Sequence, residues 1–200
     1  MKQFFGLSQR GDLKEAVRGL GNPQLIMLFS NSGQFETHVK ELALLYPQVP
    51  SIGCIGMAYD TRIVQDGVAV LAFSDGVTAA ANVLEQASVM PVKYIDRLKQ
   101  DVQAVNGSRK DTVCIDFCAG NDACVLTTIY SVLRDKGISL VGGTGDAGMV
   151  SANGRIYKDA VAYALVKNNR GRVKTYKENI YHQMGEQRFI ASKTDSSRYM

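Results

Sequence analysis

A glycine-rich stretch, SLVGGTGDAGM at residues 139–149, has the composition of a loop that binds phosphate. Gly143, Gly145 and Gly148 satisfy the spacing G-x-G-x-x-G, which indicates a dinucleotide site only when a strand precedes it and a helix begins within it. The segment that follows contains an Asn153-Gly154 turn and then a run of β-forming residues, and it holds no Gly-Lys-Ser/Thr of a Walker loop. Both nucleotide interpretations therefore fail, and the glycines need another explanation.

Catalytic and metal-binding patterns are also missing from the sequence. It holds no G-x-S-x-G elbow and no H-E-x-x-H, and the cysteines near Asp122 have no base beside them that could activate a nucleophile. None of the four cysteines forms a C-x-x-C pair, and His38 and His182 are far apart in the chain. We therefore expect no catalytic residue, no metal and no cofactor, and we expect reduced, buried cysteines, because buried cysteine mostly behaves as a small hydrophobe.

A few polar residues could bind a ligand, and each has an ordinary structural explanation as well. Asp116 lies inside an apolar strand, where it either pairs with a loop or an arginine or lines a polar pocket. Asp146 lies in the glycine-rich stretch, where aspartate is a common turn residue. Asn121 and Asp122 suit a helix cap, and the helix start that they cap could present N–H groups to a carboxylate.

Composition favours a globular domain that binds neither nucleic acid nor membrane. The 200 residues are 46% hydrophobic with a net charge of +4, and the basic residues between 167 and 177 are interpreted as a solvated hairpin. The apolar runs are far shorter than the roughly 20 residues of a membrane helix. The N-terminus MKQFFGLSQRGD lacks the apolar segment of a signal peptide, which predicts a cytoplasmic protein.

The elements that position these residues occur twice in the same order. Each half is predicted to contain a strand, a helix, a second strand that runs into glycines, and then β-runs. In the first half these are residues 25–29, 34–46, 50–55, 67–73 and 77–84, after a short helix at 12–20; in the second they are 112–117, 122–136, 138–141, 155–166 and 172–179, after a helix at 92–105. SIGCIG with QDGVAVLAF in the first half matches SLVGGTG with KDAVAYALV in the second.

This duplication predicts the fold class and explains the glycines. We expect an α/β domain in which two β-α-β-β-β units form mixed, largely antiparallel sheets covered by helices. Gly53 and Gly56 fall at the same place as Gly142, Gly143 and Gly145, at a corner where a strand ends and the chain turns sharply. Exposed N–H groups at such corners are also suited to hold a small anion.

The same motifs resemble the FIST domain family. The matching stretches are YPQVPSIGCIGMAYD with DGVAVLAFSDG, and GISLVGGTGDAG with NGRIYKDAVAYALV. Ile55 stands where the family has a small hydroxyl residue, and Ala160 stands where glycine is common. The resemblance implies a FIST N-terminal domain over 24–178, with internal repeats 24–84 and 111–178. It leaves 1–23 as a helical lead-in and 179–200 as the start of a C-terminal FIST domain.

The resemblance also implies a function. FIST domains are cytoplasmic sensory modules of bacterial signal transduction, including chemotaxis, proposed to bind small ligands such as amino acids. The implied partners are a small-molecule ligand and a signalling output domain or protein. Two alternatives remain at this point, a protein-interaction scaffold without a ligand and a small-molecule enzyme. We expect the ligand where the glycine corners meet the helix starts, at Ser30, Asn31, Gly53, Asp116, Asn121, Gly143, Thr144 and Asp146.

Overall fold

The fold is taken from a computed structural model that describes residues 1–59, 63–120 and 123–176. In this part of the chain the helices are α1 Leu13–Ala16, α2 Phe35–Leu45, α3 Ile95–Ala104 and α4 Ala123–Lys136. The strands are β1 Lys2–Ser8, β2 Leu25–Ser30, β3 Ser51–Ile55, β4 Ala58–Tyr59, β5 Ile63–Val64, β6 Val68–Ser74, β7 Val77–Glu85, β8 Thr112–Cys118, β9 Ser139–Thr144, β10 Met149–Ala152, β11 Arg155–Lys158 and β12 Ala160–Asn168.

The strands form two main sheets that share one topology. The larger sheet has the order β1-β6-β2-β3-β10-β11 and the smaller one the order β7-β12-β8-β9, while β4 and β5 pair only with each other. In both sheets the first three strands are antiparallel neighbours and the third and fourth are parallel, joined through α2 or α4. The predicted α/β class with mixed sheets is confirmed, and the four strands β1-β6-β2-β3 correspond to β7-β12-β8-β9.

The strand register shows that the two glycine corners are equivalent. Gly53 lies opposite Leu28 in the first parallel pair, and Gly142 lies opposite Asp116 in the second. An equivalent backbone hydrogen bond closes each corner. The Gly56 N–H donates to the Ser30 carbonyl at 3.0 Å, and the corresponding N–H of residue 145 donates to the carbonyl of residue 118 at 2.9 Å. By this register, segments 51–54 and 140–143 occupy equivalent places, so the match of SIGCIG to SLVGGTG predicts the equivalence with a shift of one residue at the start of the strand.

The repeat boundaries differ from the predicted ones. Since β7 pairs with β12, it begins the second unit, and the units run over 2–74 and 77–168 rather than over 24–84 and 111–178. The Ser74-Asp75-Gly76 turn, with φ of 55° at Asp75 and 80° at Gly76, carries the chain from one sheet to the other. Residues 1–23 are not a helical lead-in either, because residues 2–8 form β1 and pair with β6 along their whole length.

Two local predictions also need correction. The expected strand over 172–179 is absent from its described part, residues 172–176. On α2, Phe35, Val39 and Leu42 are buried as predicted, but Leu45 is 41% exposed. Ten residues after Phe35, Leu45 is turned about 80° around the helix, and His38 completes the buried stripe instead.

The two sheets and the helices on their outer faces form four layers. The two sheets pack face to face over an apolar cluster that includes Met27, Ile52 and Val150. Helices α1 and α2 cover the outer face of the larger sheet, and α3 and α4 cover that of the smaller one. Phe29 and Phe117, which hold equivalent positions in the two repeats, meet between the sheets edge to face with ring centroids 5.3 Å apart. The pseudo-symmetry therefore reaches into the core.

None of the helices in the described residues has the length and the apolar composition that a membrane span requires.

Candidate functional site

A cleft opens at the carboxyl ends of β2 and β3, beside the start of α2. It has a volume of about 530 Å³ and is lined by Asn31, Ser32, Gly33, Ile55, Gly56, Met57, Gln65, Asp66, Asp146 and Ala147. The first eight of these residues belong to the first repeat, and the last two come from the turn after β9 in the second. The cleft is therefore built by both repeats, although it lies at the end of the larger sheet.

Asn31 holds one wall of the cleft together. Its Oδ1 accepts the Gln34 N–H at 3.0 Å, and its Nδ2 donates to the Asp66 carbonyl at 3.1 Å. The side chain therefore satisfies one N–H at the entry to α2, much as a capping residue does, and fixes the turn before β6 against that helix start. The bond from Asn31 to its carbonyl therefore fixes Asp66 at the rim of the cleft.

The opposite wall is the turn that follows β9. At Gly145 an added Cβ would lie 2.9 Å from Cβ of Cys54, so only glycine lets this turn rest on the end of β3. Asp146 lines the cleft with Ile55 and Gly56, at the end of the same strand. Burial, and secondly the charge of Asp146, raises the pKa of the Cys54 thiol to about 12. Ala147 holds a left-handed conformation with φ of 53° and ψ of 19°.

Beneath the cleft, a buried hydrogen-bond chain links β2 to both helices of the first repeat. The Ser30 hydroxyl lies 2.7 Å from Nδ1 of His38, and Nε2 of His38 lies 2.8 Å from the Gly11 carbonyl oxygen. Because a carbonyl oxygen only accepts, Nε2 carries a proton and donates. Ser30 and His38 are 0% and 2% exposed, so they are too deeply buried to contact a ligand in the cleft. Their hydrogen bonds instead connect the end of β2 to α2 and to the chain before α1.

The structure brings together only part of the predicted site. Asn31 and Asp146 line the cleft. Ser30 lies buried under it, and Gly53 lies within β3, where an added Cβ would come 2.6 Å from Oγ of Ser151. Gly53 therefore serves close strand packing.

The remaining candidates belong to the second corner, at the end of the smaller sheet. Asp116 is 3% exposed on the face of β8 that packs under the helices, and Thr144 Oγ1 lies 3.4 Å from the Gly120 carbonyl oxygen. Gly143 lies beside Thr144 on the exposed end of β9. Asn121 lies outside the described residues.

Sequence reasoning missed the residues between β5 and β6. Gln65 and Asp66 precede β6, whose first residue Val68 pairs with Ser30 at the end of β2, so β6 begins beside the cleft. The signal was present, since Asp66-Gly67 is a turn directly before an apolar strand. Met57, 44% exposed at the cleft, was also missed, because nothing in its sequence neighbourhood marks it.

The cleft suits a small molecule that carries a positive group. Among its described lining residues the ionisable ones are the carboxylates Asp66 and Asp146, and both are exposed. Ser32 and Gly33 lie just before α2, whose first N–H groups have no partner within the helix. Asp66 beside the helix start and Asp146 on the opposite wall can bind an ammonium, and the N–H groups of the helix start can bind a carboxylate.

The cysteines do not contribute to the cleft surface. Cys54, Cys114 and Cys118 are free and buried, as predicted, and the side chain of Cys124 lies outside the described part. In the same described part, no group of three or more His, Cys, Asp or Glu side chains is placed to hold a metal ion.

Comparison with known proteins identifies a family. The model described as FIST N domain matches residues 24–198, which is most of the chain and includes every residue of the cleft. A search of curated proteins found no match.

Proposed function

Because the chain belongs to the FIST N domain family, we propose that it is a sensory module whose cleft binds a small metabolite with an amino group, such as an amino acid. FIST N domains are associated with signal transduction. In this proposal the bound ligand changes how the chain engages a signalling output domain or protein.

The observation that carries the proposal is that two carboxylates from different repeats line one cleft beside a helix start. Asp66 reaches the cleft from the turn before β6, and Asp146 reaches it from the turn after β9. Charged hydrogen bonds from an ammonium to such carboxylates are about twice as strong as neutral ones. A volume of about 530 Å³ is ample for an amino acid and lies within the usual range of ligand pockets.

Backbone strain supports a functional role for the Asp146 wall. A left-handed alanine costs on the order of 1 kcal/mol, and Ala147 holds this conformation directly after Asp146. Strained residues of this kind cluster at ligand-binding sites, where the surrounding structure compensates their cost.

The test is a binding series on the 200-residue chain. Thermal shift screens the twenty amino acids and simple amines, and calorimetry measures each one that raises the melting temperature. Asp146→Asn is expected to weaken binding by about 1.5–3 kcal/mol, roughly ten- to a hundredfold, because it removes the charge from one partner of the ammonium. Asp66→Asn is expected to act in the same direction. The matched control is Asp96→Asn on α3, an exposed carboxylate outside the cleft.

Two derivatives of each hit separate the two ends of the ligand. Acetylating its amino group should abolish binding, because the ammonium then no longer faces the carboxylates, whereas converting its carboxylate to an amide should weaken binding at the start of α2. The proposal is wrong if no amine or amino acid binds, or if Asp146→Asn and Asp66→Asn both bind as tightly as the parent chain.

A further inference from the structure

The two carboxylates of the cleft lack a positive partner among the described residues. Asp66 and Asp146 are both exposed, and none of the ion pairs in this part of the chain involves either of them. The other described residues that line the cleft are uncharged. Because like charges in one cleft disfavour each other, a ligand with two positive groups is more complementary to this cleft than a ligand with one.

The two carboxylates lie differently with respect to the start of α2. Asn31 accepts the Gln34 N–H through Oδ1 and donates to the Asp66 carbonyl through Nδ2, so Asp66 lies beside the helix start. Asp146 lies on the opposite wall, in the turn that follows β9. An amino acid carries its carboxylate and its α-ammonium on one carbon atom. These two groups therefore fit the helix start and Asp66, and Asp146 is left for a third group.

Apolar surface in the cleft suits a chain of methylene groups. Met57 is 44% exposed there, and Ala147 follows Asp146 in the opposite wall. A methionine side chain is flexible and adapts to irregular apolar partners. Long cationic side chains bury their methylenes along such surfaces and keep the charged end at a polar group. The volume of about 530 Å³ accommodates a ligand of this kind.

We propose that the cleft selects a basic amino acid, of the class of lysine, ornithine and arginine. The inference rests on the proposed function, because it concerns the same cleft and adds the nature of the ligand's side chain. The ligand carboxylate binds the first N–H groups of α2, and the α-ammonium binds Asp66. The side-chain cation binds Asp146, and the methylenes between the two cations contact Met57.

Three ligands test this assignment by calorimetry on the 200-residue chain. Norleucine lacks the terminal ammonium of lysine, and cadaverine lacks the carboxylate of lysine. Lysine is expected to bind about ten- to a hundredfold more tightly than norleucine, because norleucine cannot form the charged hydrogen bond to Asp146. Lysine is also expected to bind more tightly than cadaverine, which has no group for the helix start. Added salt should narrow the preference for lysine over norleucine, because salt screens exposed charges.

The ratio of the lysine affinity to the norleucine affinity assigns the terminal ammonium to one carboxylate. Asp146→Asn is expected to lower this ratio about tenfold or more, because the charged partner of the terminal ammonium is lost. Asp66→Asn is expected to weaken both ligands by a similar factor and to leave the ratio unchanged, because both ligands carry the α-ammonium. Asp96→Asn on α3 is the matched control and should change neither affinity, since Asp96 lies outside the cleft.

Failure of this inference is distinguishable from failure of the proposed function. If no amino acid or amine binds, the proposed function is wrong, and the inference is wrong with it. If norleucine binds as tightly as lysine, the amino-acid site stands and the preference for a basic side chain is refuted. Two further results contradict the inference alone. One is a preference for lysine that Asp146→Asn leaves intact, and the other is cadaverine binding as tight as that of lysine.

Discussion

The pair Gly142 and Gly143 provides a sharp test of why the second corner is rich in glycine. At Gly142 an added Cβ would overlap the backbone oxygen and Oδ1 of Asp116 and lie 2.9 Å from its carbonyl carbon, well inside the 3.5 Å of a normal contact. At Gly143 no heavy atom lies within 4 Å of the same position. Two neighbouring glycines of one strand therefore differ sharply in the space around them.

Gly142→Ala is expected to lower the free energy of unfolding by about 3 kcal/mol, the upper part of the usual range for overpacking, because the atoms that it meets include backbone of the central strand β8. The melting temperature should fall by roughly 6–12 °C for a domain of this size. Gly143→Ala should be neutral or stabilising by about 0.4–1 kcal/mol, since alanine restricts the unfolded chain. Urea unfolding of both variants measures the difference, and two values within about 0.5 kcal/mol of each other would refute the close-packing explanation.

Three further predictions rest on buried or hydrogen-bonded groups. At pH 8 the thiols of Cys54, Cys114 and Cys118 should react with a thiol reagent only as fast as the fold opens, because all three are buried and burial raises the pKa of the Cys54 and Cys114 thiols. Mass spectrometry of the labelled chain measures the rate of this reaction. Burial acts to raise the pKa of Asp111, but hydrogen bonds from neighbouring hydroxyls and a nearby lysine outweigh it and lower this pKa. The stabilisation that the Asp111 carboxylate gives the fold is therefore present above about pH 4 and is lost as the pH falls further. In urea unfolding, Asp111→Asn should make the free energy of unfolding less dependent on pH in the acid range. Tyr163→Phe should cost about 1.5–3 kcal/mol of stability, measured the same way, because the buried hydroxyl donates to a carboxylate oxygen at 2.5 Å. Rapid labelling, an unchanged acid profile or a neutral Tyr163→Phe would contradict the respective argument.

The sequence alone determined the order of the elements and their duplication. Apolar spacing placed β2, β3, β8, α2 and α4 to within a residue or two, since these segments have clear periodicity and are bounded by turn residues. The bounds of α1, α3 and β9 differ from the predicted ones by three or four residues at one end. The equivalence of SIGCIG and SLVGGTG predicted the equivalent corners, because a repeated chain folds into a repeated topology. Local patterns also identified Asn31 and Asp146 as candidates, and these two line the cleft.

Only the tertiary structure decided which strands share a sheet and which corner opens into a cleft. The alternation of side chains in β7 would be the same if the strand paired with β6 instead of with β12, its actual partner. A two-residue period indicates which face of a strand is buried, but it does not identify the neighbouring strand. Likewise, Ser30 and Asn31 are adjacent polar residues at the end of one strand, yet Ser30 is buried against His38 while Asn31 lines the cleft. Asp66 and Asp146 are 80 residues apart in the chain and line the same cleft only because the turn after β9 crosses to the other repeat. Contacts of that kind depend on packing between distant segments, which no local pattern records.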